Sequence, residues 1–446
     1  MHILFLEVDH ESDWAVAAIG PAFIAAYLRQ HGHTAALQRI PFDMSVADSV
    51  EAIIKHDPDV IGVSLTSRQW LRARDLICGI RETRDIPVVA GGLHATFESE
   101  MVLASPGFDY ACLGEGEEPM LELVEALAGR PGEPVRNIRN IRARGEPAPE
   151  LRAPFQPIDR LPFMARDMLD ERYGVVHICT QRGCPYPCTY CAARQFSDLY
   201  GSYAEYGRRR SHESVLQELA EVRDNGELNY VLFLDDTFTI NRKWVKTFCQ
   251  AYGAQFGVPF SLHARVETVN QRLLTQLAEA GCRHIVYGVE SGSERVRRDI
   301  MKRNAPNQRF VDVFQWTKEA GILVTANYII GTPGETSNDI EETIALHDLL
   351  EPDDFGYFIF YPYPGTSLFE LCRERGYLPD NYHELPANHR RSILDLPDLT
   401  RDEIELYYRR FTELRLEAAL KRMPEDADAA ARAVVKQDVY RTAAQL

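Results

Sequence analysis

The sequence lacks a hydrophobic run long enough to cross a membrane. Its longest uninterrupted apolar stretches, such as YVLFL at residues 230–234, are far shorter than the roughly 20 residues that a membrane-spanning helix needs. The first residues, MHILFLEVDHESDW, carry acidic side chains where a secretory signal peptide has its apolar core. We therefore expect a cytoplasmic protein without a membrane span.

The sequence also lacks an excess of positive charge. Its 66 acidic and 49 basic residues give a formal net charge of −17. This charge argues against the large basic surface that binding to nucleic acid phosphates requires, so we expect no nucleic acid partner. The one basic run, GRRRS at residues 207–211, is predicted to be a solvated part of the surface.

Cysteine is scarce, with nine residues in a chain of 446, and this number does not indicate a disulfide framework. Three of the nine lie within eight positions, in the segment RGCPYPCTYCAAR at residues 182–194. The other six are scattered and are predicted to be small buried hydrophobic side chains. They are Cys78, Cys112, Cys179, Cys249, Cys282 and Cys372.

Residues 1–130 alternate between short apolar segments and amphipathic segments. This pattern predicts an α/β domain with a doubly wound, flavodoxin- or Rossmann-like parallel sheet that helices cover on both faces. Ligands of such sheets bind at the loops that leave the carboxyl ends of the strands. The loops predicted there are residues 9–20, 64–69, 91–96 and 114–118.

A second alternating series begins near residue 173, after a connector rich in Pro, Arg and Glu. Its six predicted strands lie within residues 173–181, 230–236, 259–266, 284–291, 323–331 and 354–363. Six strand–helix units predict a partial (β/α)6 barrel of the TIM type, with chemistry at the carboxyl ends of the strands. The predicted organisation is a first domain at 1–135, a linker at 136–165, a second domain at 166–370 and a helical extension at 371–446.

The three clustered cysteines, Cys184, Cys188 and Cys191, are spaced C-x3-C-x2-C and follow the first strand of the second series. Cysteine thiolates hold iron–sulfur clusters, and three of them leave one iron of a [4Fe–4S] cube without a protein ligand. An open coordination position is typical of a catalytic metal site. A structural zinc site is the alternative, but it needs a fourth ligand, and the nearest candidates, His177 and His212, complete no familiar zinc pattern.

The cysteine loop and the strands after it, over roughly residues 170–370, resemble the radical S-adenosylmethionine (SAM) superfamily. The resemblance implies a [4Fe–4S] cluster on the three cysteines, with SAM on the open iron. It also implies that one electron cleaves SAM to a 5′-deoxyadenosyl radical, which abstracts hydrogen from a substrate. By the same resemblance, SAM is expected to contact residues at the loop and at the strand ends, namely Tyr190, Asp235, Asp236, Arg265, Glu290, Ser291 and Gly331.

Roughly residues 1–135 resemble the cobalamin-binding domain of the B12-dependent branch of that superfamily, in segments such as PDVIGVSLTS, IPVVAGGLHAT and YACLGEGEE. The resemblance implies a cobalamin site formed by Ser64, Thr66, Gly91, Gly92, Gly114, Glu115 and Gly116. The D-x-H-x-x-G motif that supplies a lower cobalt ligand is absent. Neither His10 nor His94 is therefore assigned that role.

The two resemblances together imply methyl transfer from methylcobalamin to an unactivated carbon or phosphorus of a small molecule. They also imply a flavodoxin- or ferredoxin-type reductant. Radical cyclisation or rearrangement, with or without cobalamin, remains open because FYPYPGTSLFELC at residues 360–372 resembles relatives that include the anaerobic protoporphyrin-ester cyclase. A non-catalytic cobalamin or iron–sulfur redox sensor is the alternative of another class.

Overall fold

The computed structural model describes residues 1–9, 18–130, 132–424 and 429–444. The chain divides into two compact units. The first unit comprises residues 1–173 and 195–214, and the second comprises residues 174–194 and 215–446.

The first unit is built on a six-stranded sheet in the order β2-β1-β3-β4-β5-β6. Its strands are His2–Val8 (β1), Thr34–Ile40 (β2), Val60–Ser64 (β3), Val88–Gly91 (β4), Tyr110–Cys112 (β5) and Ile141–Ala143 (β6). All neighbours are parallel except β5 and β6. Residues 3–6 of β1 are all buried, as expected for a strand covered on both faces. The predicted doubly wound fold is confirmed.

Six helices connect these strands and pack on the sheet. They are Ile19–Gln30 (α1), Val46–Ile54 (α2), Trp70–Arg81 (α3), Gly92–Phe97 (α4), Ser99–Ala104 (α5) and Glu117–Gly129 (α6). The strand order changes direction between β1 and β3, so this sheet has its topological switch point there. The carboxyl ends of β1 and β3 therefore border the position where such folds bind ligands, and the end of β4 lies next to that of β3.

The boundaries of the units differ from the predicted domain boundaries in two places. The whole predicted linker, residues 136–165, belongs to the first unit, and its strand β6 adds an antiparallel edge to the sheet of that unit. Residues 195–214, which lie inside the predicted second domain, also belong to the first unit. This segment contains most of helix Ala192–Leu199 (α7), helix Tyr203–Tyr206 (α8) and the short strand Arg208–Arg209.

The second unit is built on six parallel strands in sequence order, from β7 at one edge to β12 at the other. They are Val175–Ile178 (β7), Tyr230–Phe233 (β8), Phe260–Ala264 (β9), Cys282–Glu290 (β10), Leu323–Ile330 (β11) and Asp354–Ile359 (β12). A sequential order of strand–helix units is that of a partial barrel. All six predicted strands are confirmed.

Helices follow these strands, and one face of the sheet packs against them in a large apolar core. They are His212–Asn225 (α9), Arg242–Gln255 (α10), Gln271–Ala280 (α11), Asn307–Glu319 (α12), Ser337–Leu350 (α13), Ser367–Glu374 (α14), Arg401–Lys421 (α15) and Ala429–Ala444 (α16). The predicted helical extension is confirmed, because residues 371–424 and 429–444 contain no strand. On β12, Tyr357 packs on Phe411 of α15.

Candidate active site

The cysteine loop leaves the carboxyl end of β7. Cys184 and Cys188 are buried and Cys191 is partly buried. Burial, together with the charge of Asp236, raises the pKa of the Cys191 thiol to about 12, and burial also raises the pKa of Cys184. A thiol of this kind gives up its proton when a metal cation takes its place.

No group of three His, Cys, Asp or Glu side chains converges on a single-ion position within the part of the chain that the structure describes. The thiolates of an iron–sulfur cluster bind different irons, so their sulfur atoms need not converge on one point. The spacing and burial of the three cysteines thus fit a cluster.

Asp235 and Asp236 follow β8, and the structure gives them different environments. The buried Asp235 carboxylate accepts hydrogen bonds from the Thr180 amide (2.8 Å), the Thr180 hydroxyl (2.7 Å) and the Gln181 amide (2.9 Å). Asp235 therefore fixes the backbone that enters the cysteine loop, and its oxygens are engaged by protein. The Asp236 side chain is open to solvent although protein surrounds it. Reduced solvation and the charge of Asp235 raise its pKa to about 6.

Arg265 follows β9 and reaches the cysteine loop. Its Nη1 lies 3.1 Å from the Cys188 Sγ, its Nη2 donates to Glu267 Oε1 at 2.7 Å, and its guanidinium lies 3.8 Å from the centre of the Tyr186 ring. The Nε of Arg265 is buried without a hydrogen-bond partner. Arg265, predicted to contact SAM, is thus held next to Cys188, and its Nε remains as a donor without a partner.

Tyr190 and Glu290, both predicted to contact SAM, are joined by a hydrogen bond. The Tyr190 hydroxyl donates to Glu290 Oε1 at 3.0 Å. Arg303 donates to the same hydroxyl at 3.2 Å, and its Nη1 lies 3.7 Å from Glu290 Oε1 and 4.0 Å from the Cys188 Sγ. The sequence analysis missed Arg303. The only signal was a basic run, MKRN, shortly after the Glu290 strand.

The backbone around Glu290 is unusual. Glu290 has a φ of 68°, in the left-handed region that non-glycine residues adopt at a cost of roughly 1–2 kcal/mol. Gly288 gives its side chain room, because a Cβ at Gly288 would lie 2.1 Å from Glu290 Oε1. The strand pairing with β11 is also irregular between these two residues. Such a local cost is typical of functional positions, where the fold holds one side chain in place.

Ser291 and Gly331, the remaining predicted SAM residues, contact other parts of the protein. Ser291 is fully buried, and its hydroxyl accepts from the Ser293 amide at 3.2 Å. The Gly331 amide donates to Glu335 Oε2 at 2.6 Å, and the amide of Thr332 donates to the same oxygen. These residues therefore shape the turns at the ends of β10 and β11, and their own polar groups are engaged.

His263 is a second residue that the sequence analysis missed. Phe260, Leu262 and Ala264 of β9 face the helices, so the alternation of the strand places His263 on the same face as Arg265. Its side chain is exposed and has no hydrogen-bond partner among the described residues. Reduced solvation by the surrounding protein lowers its pKa, which favours the neutral imidazole.

In the first unit, Ser64, Gly91 and Gly92 come together where β3 and β4 end. Ser64 pairs with Gly91 in the sheet. A Cβ at Gly91 would meet no atom within 4 Å, so the space beside it is open, whereas Gly92 packs against the Leu65 backbone with a φ of 84°. Thr66 is engaged, because its hydroxyl donates to Gln69 at 3.0 Å. The open edge fits close approach by a ligand.

Gly114, Glu115 and Gly116 follow β5, and protein groups cover all three. The Glu115 carboxylate forms an ion pair with Arg208 (2.5 Å) that is almost fully buried. A Cβ at Gly114 would lie 2.2 Å from the Tyr200 hydroxyl, and one at Gly116 would lie 2.7 Å from Ile24. None of the three therefore presents a free polar side chain or open space of the kind found at Gly91.

Arg208 belongs to the basic run 207–211, for which the prediction of a solvated surface was wrong. Arg208 and Arg210 are both buried. Arg208 binds Glu115, and Arg210 donates to the Ser214 hydroxyl and lies over the Phe163 ring. The segment folds onto the first unit, which removes these charges from solvent.

His94 is buried in the first unit, whereas His10 lies outside the described residues. The Nδ1 of His94 lies 3.1 Å from the Ser67 hydroxyl, and its ring packs on Trp70. Burial lowers its pKa to about 4, so the imidazole is neutral at physiological pH.

No helix in the described part of the chain is both long and apolar enough to cross a membrane.

Two family models match the chain. The radical SAM superfamily model matches residues 178–347, and the B12 binding domain model matches residues 12–124. The chain is 30% identical to the uncharacterised methyltransferase PH0819 of Pyrococcus horikoshii over 372 residues, which cover 79% of this chain and 78% of the relative. It is 26% identical to the anaerobic magnesium-protoporphyrin IX monomethyl ester cyclase of Rubrivivax gelatinosus, over 92% of this chain and 77% of the cyclase.

Two solved structures share the fold. One is the cobalamin-dependent SAM radical enzyme OxsB with aqua-cobalamin and SAM bound, with a TM-score of 0.72, 15% identity, and coverage of 99% of this chain and 71% of OxsB. The other is the radical SAM methyltransferase TsrM from Kitasatospora setae with cobalamin and a [4Fe–4S] cluster bound. Its TM-score is 0.68 at 17% identity, over 84% of this chain and 75% of TsrM.

The family models fall on the two predicted modules, one on each. The similarity to the methyltransferase of Pyrococcus horikoshii extends over most of both chains. The chain is therefore an enzyme of the radical SAM superfamily and belongs to the group that carries a B12-binding domain.

Proposed function

We propose that this enzyme is a cobalamin-dependent methyltransferase that uses a [4Fe–4S] cluster and SAM. In this proposal Cys184, Cys188 and Cys191 bind the cluster, the cluster binds SAM, and the first unit binds cobalamin. The observation that supports it most is the convergence of two buried arginines, Arg265 and Arg303, on the Cys188 sulfur, with Nη1 atoms 3.1 and 4.0 Å from it. Two buried guanidinium groups beside a thiol of the cysteine loop supply positive charge and donors for an anionic cluster and for a carboxylate.

The charged groups around the cysteine loop match SAM in sign and in hydrogen-bonding type. Arg265 and Arg303 offer donors to a carboxylate, Asp236 offers an open carboxylate to an ammonium group, and Glu290 offers acceptors to ribose hydroxyls. When bound, the reduced cluster supplies the electron that cleaves SAM, and cobalamin supplies a transferable methyl group. Tyr190 and Arg303 hold Glu290 in its left-handed conformation, so the acceptor is oriented before SAM arrives.

The cobalamin site in this proposal is the open edge formed by Ser64, Gly91 and Gly92. The Ser64 hydroxyl is half-buried, has no hydrogen-bond partner among the described residues, and lies beside the open space at Gly91. Gly92 is needed for the turn itself. His94 is engaged with Ser67, so we assign it no role as a cobalt ligand.

The substrate in this proposal is a small molecule, and His263 is a residue that contacts it. Its imidazole is neutral and exposed, and it lies two positions before Arg265 on the same face of β9. A neutral imidazole offers one donor and one acceptor to a polar group. The electron comes from a flavodoxin- or ferredoxin-type protein.

The experiment is anaerobic reconstitution followed by analysis of what SAM becomes. A methyltransferase of this kind releases two products from SAM, S-adenosylhomocysteine from methyl donation to cobalamin and 5′-deoxyadenosine from reductive cleavage. We expect the purified protein to contain near-equimolar cobalamin. We also expect S-adenosylhomocysteine to form in a single turnover with the reduced enzyme. Protein with an intact cluster that releases neither compound would contradict the proposal and support the redox-sensor alternative.

Radical cyclisation is the second candidate, and the similarity to the cyclase of Rubrivivax gelatinosus over 92% of this chain favours it. A cyclase consumes SAM only by reductive cleavage. Release of 5′-deoxyadenosine without S-adenosylhomocysteine, at any cobalamin content, would therefore support cyclisation or rearrangement over methyl transfer.

A further inference from the structure

Two buried arginines face the same cysteine sulfur in the second unit. Arg265 Nη1 lies 3.1 Å from the Cys188 Sγ and Arg303 Nη1 lies 4.0 Å from it. Both arginines are almost fully buried, at 5% and 6% of their exposed area. Among the described residues, no guanidinium is recorded against the sulfur of Cys184 or Cys191. Cys188 is thus distinguished from the other two cysteines of the loop.

Each arginine is shared between Cys188 and a carboxylate. Arg265 donates to Glu267 at 2.7 Å, and Arg303 lies 3.7 Å from Glu290. The carboxylates neutralise the buried guanidinium groups, which would otherwise be isolated charges. The Nη1 of Arg265, which the carboxylate does not use, donates to the Cys188 sulfur. The arrangement holds a positive donor directly against a cluster ligand.

We propose that Arg265, assisted by Arg303, raises the reduction potential of the cluster by hydrogen bonding to Cys188. This inference rests on the proposed function, because it requires a cluster on the three cysteines. Reduction adds one electron from a low-potential one-electron donor to the oxidised cluster, with no bond broken and no proton moved. Hydrogen bonds to the sulfur ligands and nearby positive charge stabilise the added negative charge, and the low dielectric of a buried site strengthens both effects.

This role is separable from any contact between the same arginines and SAM. A SAM-binding residue changes the affinity for SAM, whereas a residue that sets the potential acts before SAM is present. The measurement is therefore an EPR-monitored redox titration of the reconstituted full-length protein without SAM, with dithionite as the reductant.

The expected result is a lower midpoint potential in Arg265→Gln. We expect the equilibrium constant for reduction to fall by at least tenfold, which is about 59 mV for a one-electron couple. Arg303→Gln should give a smaller decrease, because its nitrogen is farther from the sulfur. Glu267→Gln should shift the potential upward, because it removes a negative charge near the cluster. It also removes the carboxylate that competes with Cys188 for the Arg265 guanidinium.

Arg401→Gln is the control for the loss of an arginine charge elsewhere in the same unit. The Arg401 guanidinium is exposed, donates to backbone carbonyls, pairs with Asp395 and contacts no cysteine. An Arg265→Gln potential equal to that of Arg401→Gln, at equal iron content, would overturn the inference. Should Arg265→Gln fail to fold, Arg265→Lys and Glu267→Gln must still shift the potential in opposite directions. A wild-type protein that assembles no cluster would contradict the proposed function instead.

Discussion

Arg208 in the first unit and Arg265 and Arg303 in the second unit are all buried, but they are paired in different ways. In the first unit, all three guanidinium nitrogens of Arg208 donate to protein, to the Glu115 carboxylate and to the carbonyls of Tyr206 and Phe155. In the second unit, Arg265 and Arg303 each retain a buried Nε without a partner. We call the fully paired arrangement at Arg208 closed, and we call the arrangement at Arg265 and Arg303, which keeps an unpaired donor, open.

An unpaired donor alone does not define a site, because the buried Nε atoms of Arg152 and Arg297 also lack partners. A fully paired buried ion satisfies its desolvation cost within the protein, so it needs no ligand. Arg265 and Arg303 differ from the other arginines because both approach the Cys188 sulfur. We therefore expect Glu115 to be structural, and we expect Arg265 and Arg303 to belong to the functional site.

The largest expected effect comes from removing a cysteine at the open site. Cys184→Ala should lose most of the bound iron and all SAM cleavage, because two thiolates do not hold a cluster that needs three. Cys249→Ala is the control, since Cys249 is buried in the apolar core of the same unit. The check is the iron and sulfide content after anaerobic reconstitution, and full iron in Cys184→Ala would refute the assignment.

Substitutions in the closed pair of Arg208 and Glu115 should change the free energy of unfolding. Arg208→Met should lower the free energy of unfolding by about 4 kcal/mol, because it leaves the Glu115 carboxylate buried without its partner. The double variant Arg208→Met with Glu115→Met should recover most of this loss, because both charges are then absent. Urea denaturation measures both values. Equal losses in the single and double variants would show that the pair is not closed.

Gly114→Ala tests the packing next to the closed pair. The substitution should cost about 3 kcal/mol, because a φ of 75° strains alanine and its Cβ would contact the Tyr200 hydroxyl. Gly145→Ala has a similar φ of 77° but open space, so it should cost only about 1 kcal/mol. Similar denaturation midpoints for the two variants would mean that Tyr200 does not pack there.

Glu335 lies between the open and closed cases, because one oxygen accepts three hydrogen bonds while the other is buried without a partner. Burial raises its pKa to about 7, so the folded chain binds this proton more tightly than the unfolded chain. The contribution of Glu335 to the free energy of unfolding should therefore be highest at low pH and should fall by about 2 kcal/mol between about pH 5 and pH 7. Glu335→Gln should lack this component, and an unchanged pH dependence of denaturation in the variant would contradict it.

Much of the architecture was predictable from local sequence. The runs ILFL at residues 3–6, VIGV at residues 60–63 and YVLFL at residues 230–234 are continuous and apolar in sequence, which indicates strands of a parallel sheet. The C-x3-C-x2-C spacing predicted a cluster loop because its chemistry depends on residues close together in the chain. The resemblance to the radical SAM superfamily implied that SAM residues would lie at the ends of β9 and β10.

The partners of the polar residues were not predictable in this way. Asp235 and Asp236 are adjacent in sequence, yet one anchors the backbone at Thr180 and the other is open. The basic run at 207–211 was predicted to lie on the surface, because nothing in its own sequence shows that Glu115 lies opposite Arg208.

The sequence by itself therefore determined the two sheets, their helices and the cysteine loop, because periodicity and spacing act over a few residues. Only the tertiary structure decided which buried charged groups are fully paired and which keep an unpaired donor. The Tyr190 hydroxyl meets Glu290 and Arg303 across 100 and 113 positions of the chain. A hydrogen bond depends on distance in space, and sequence spacing fixes that distance only within an element.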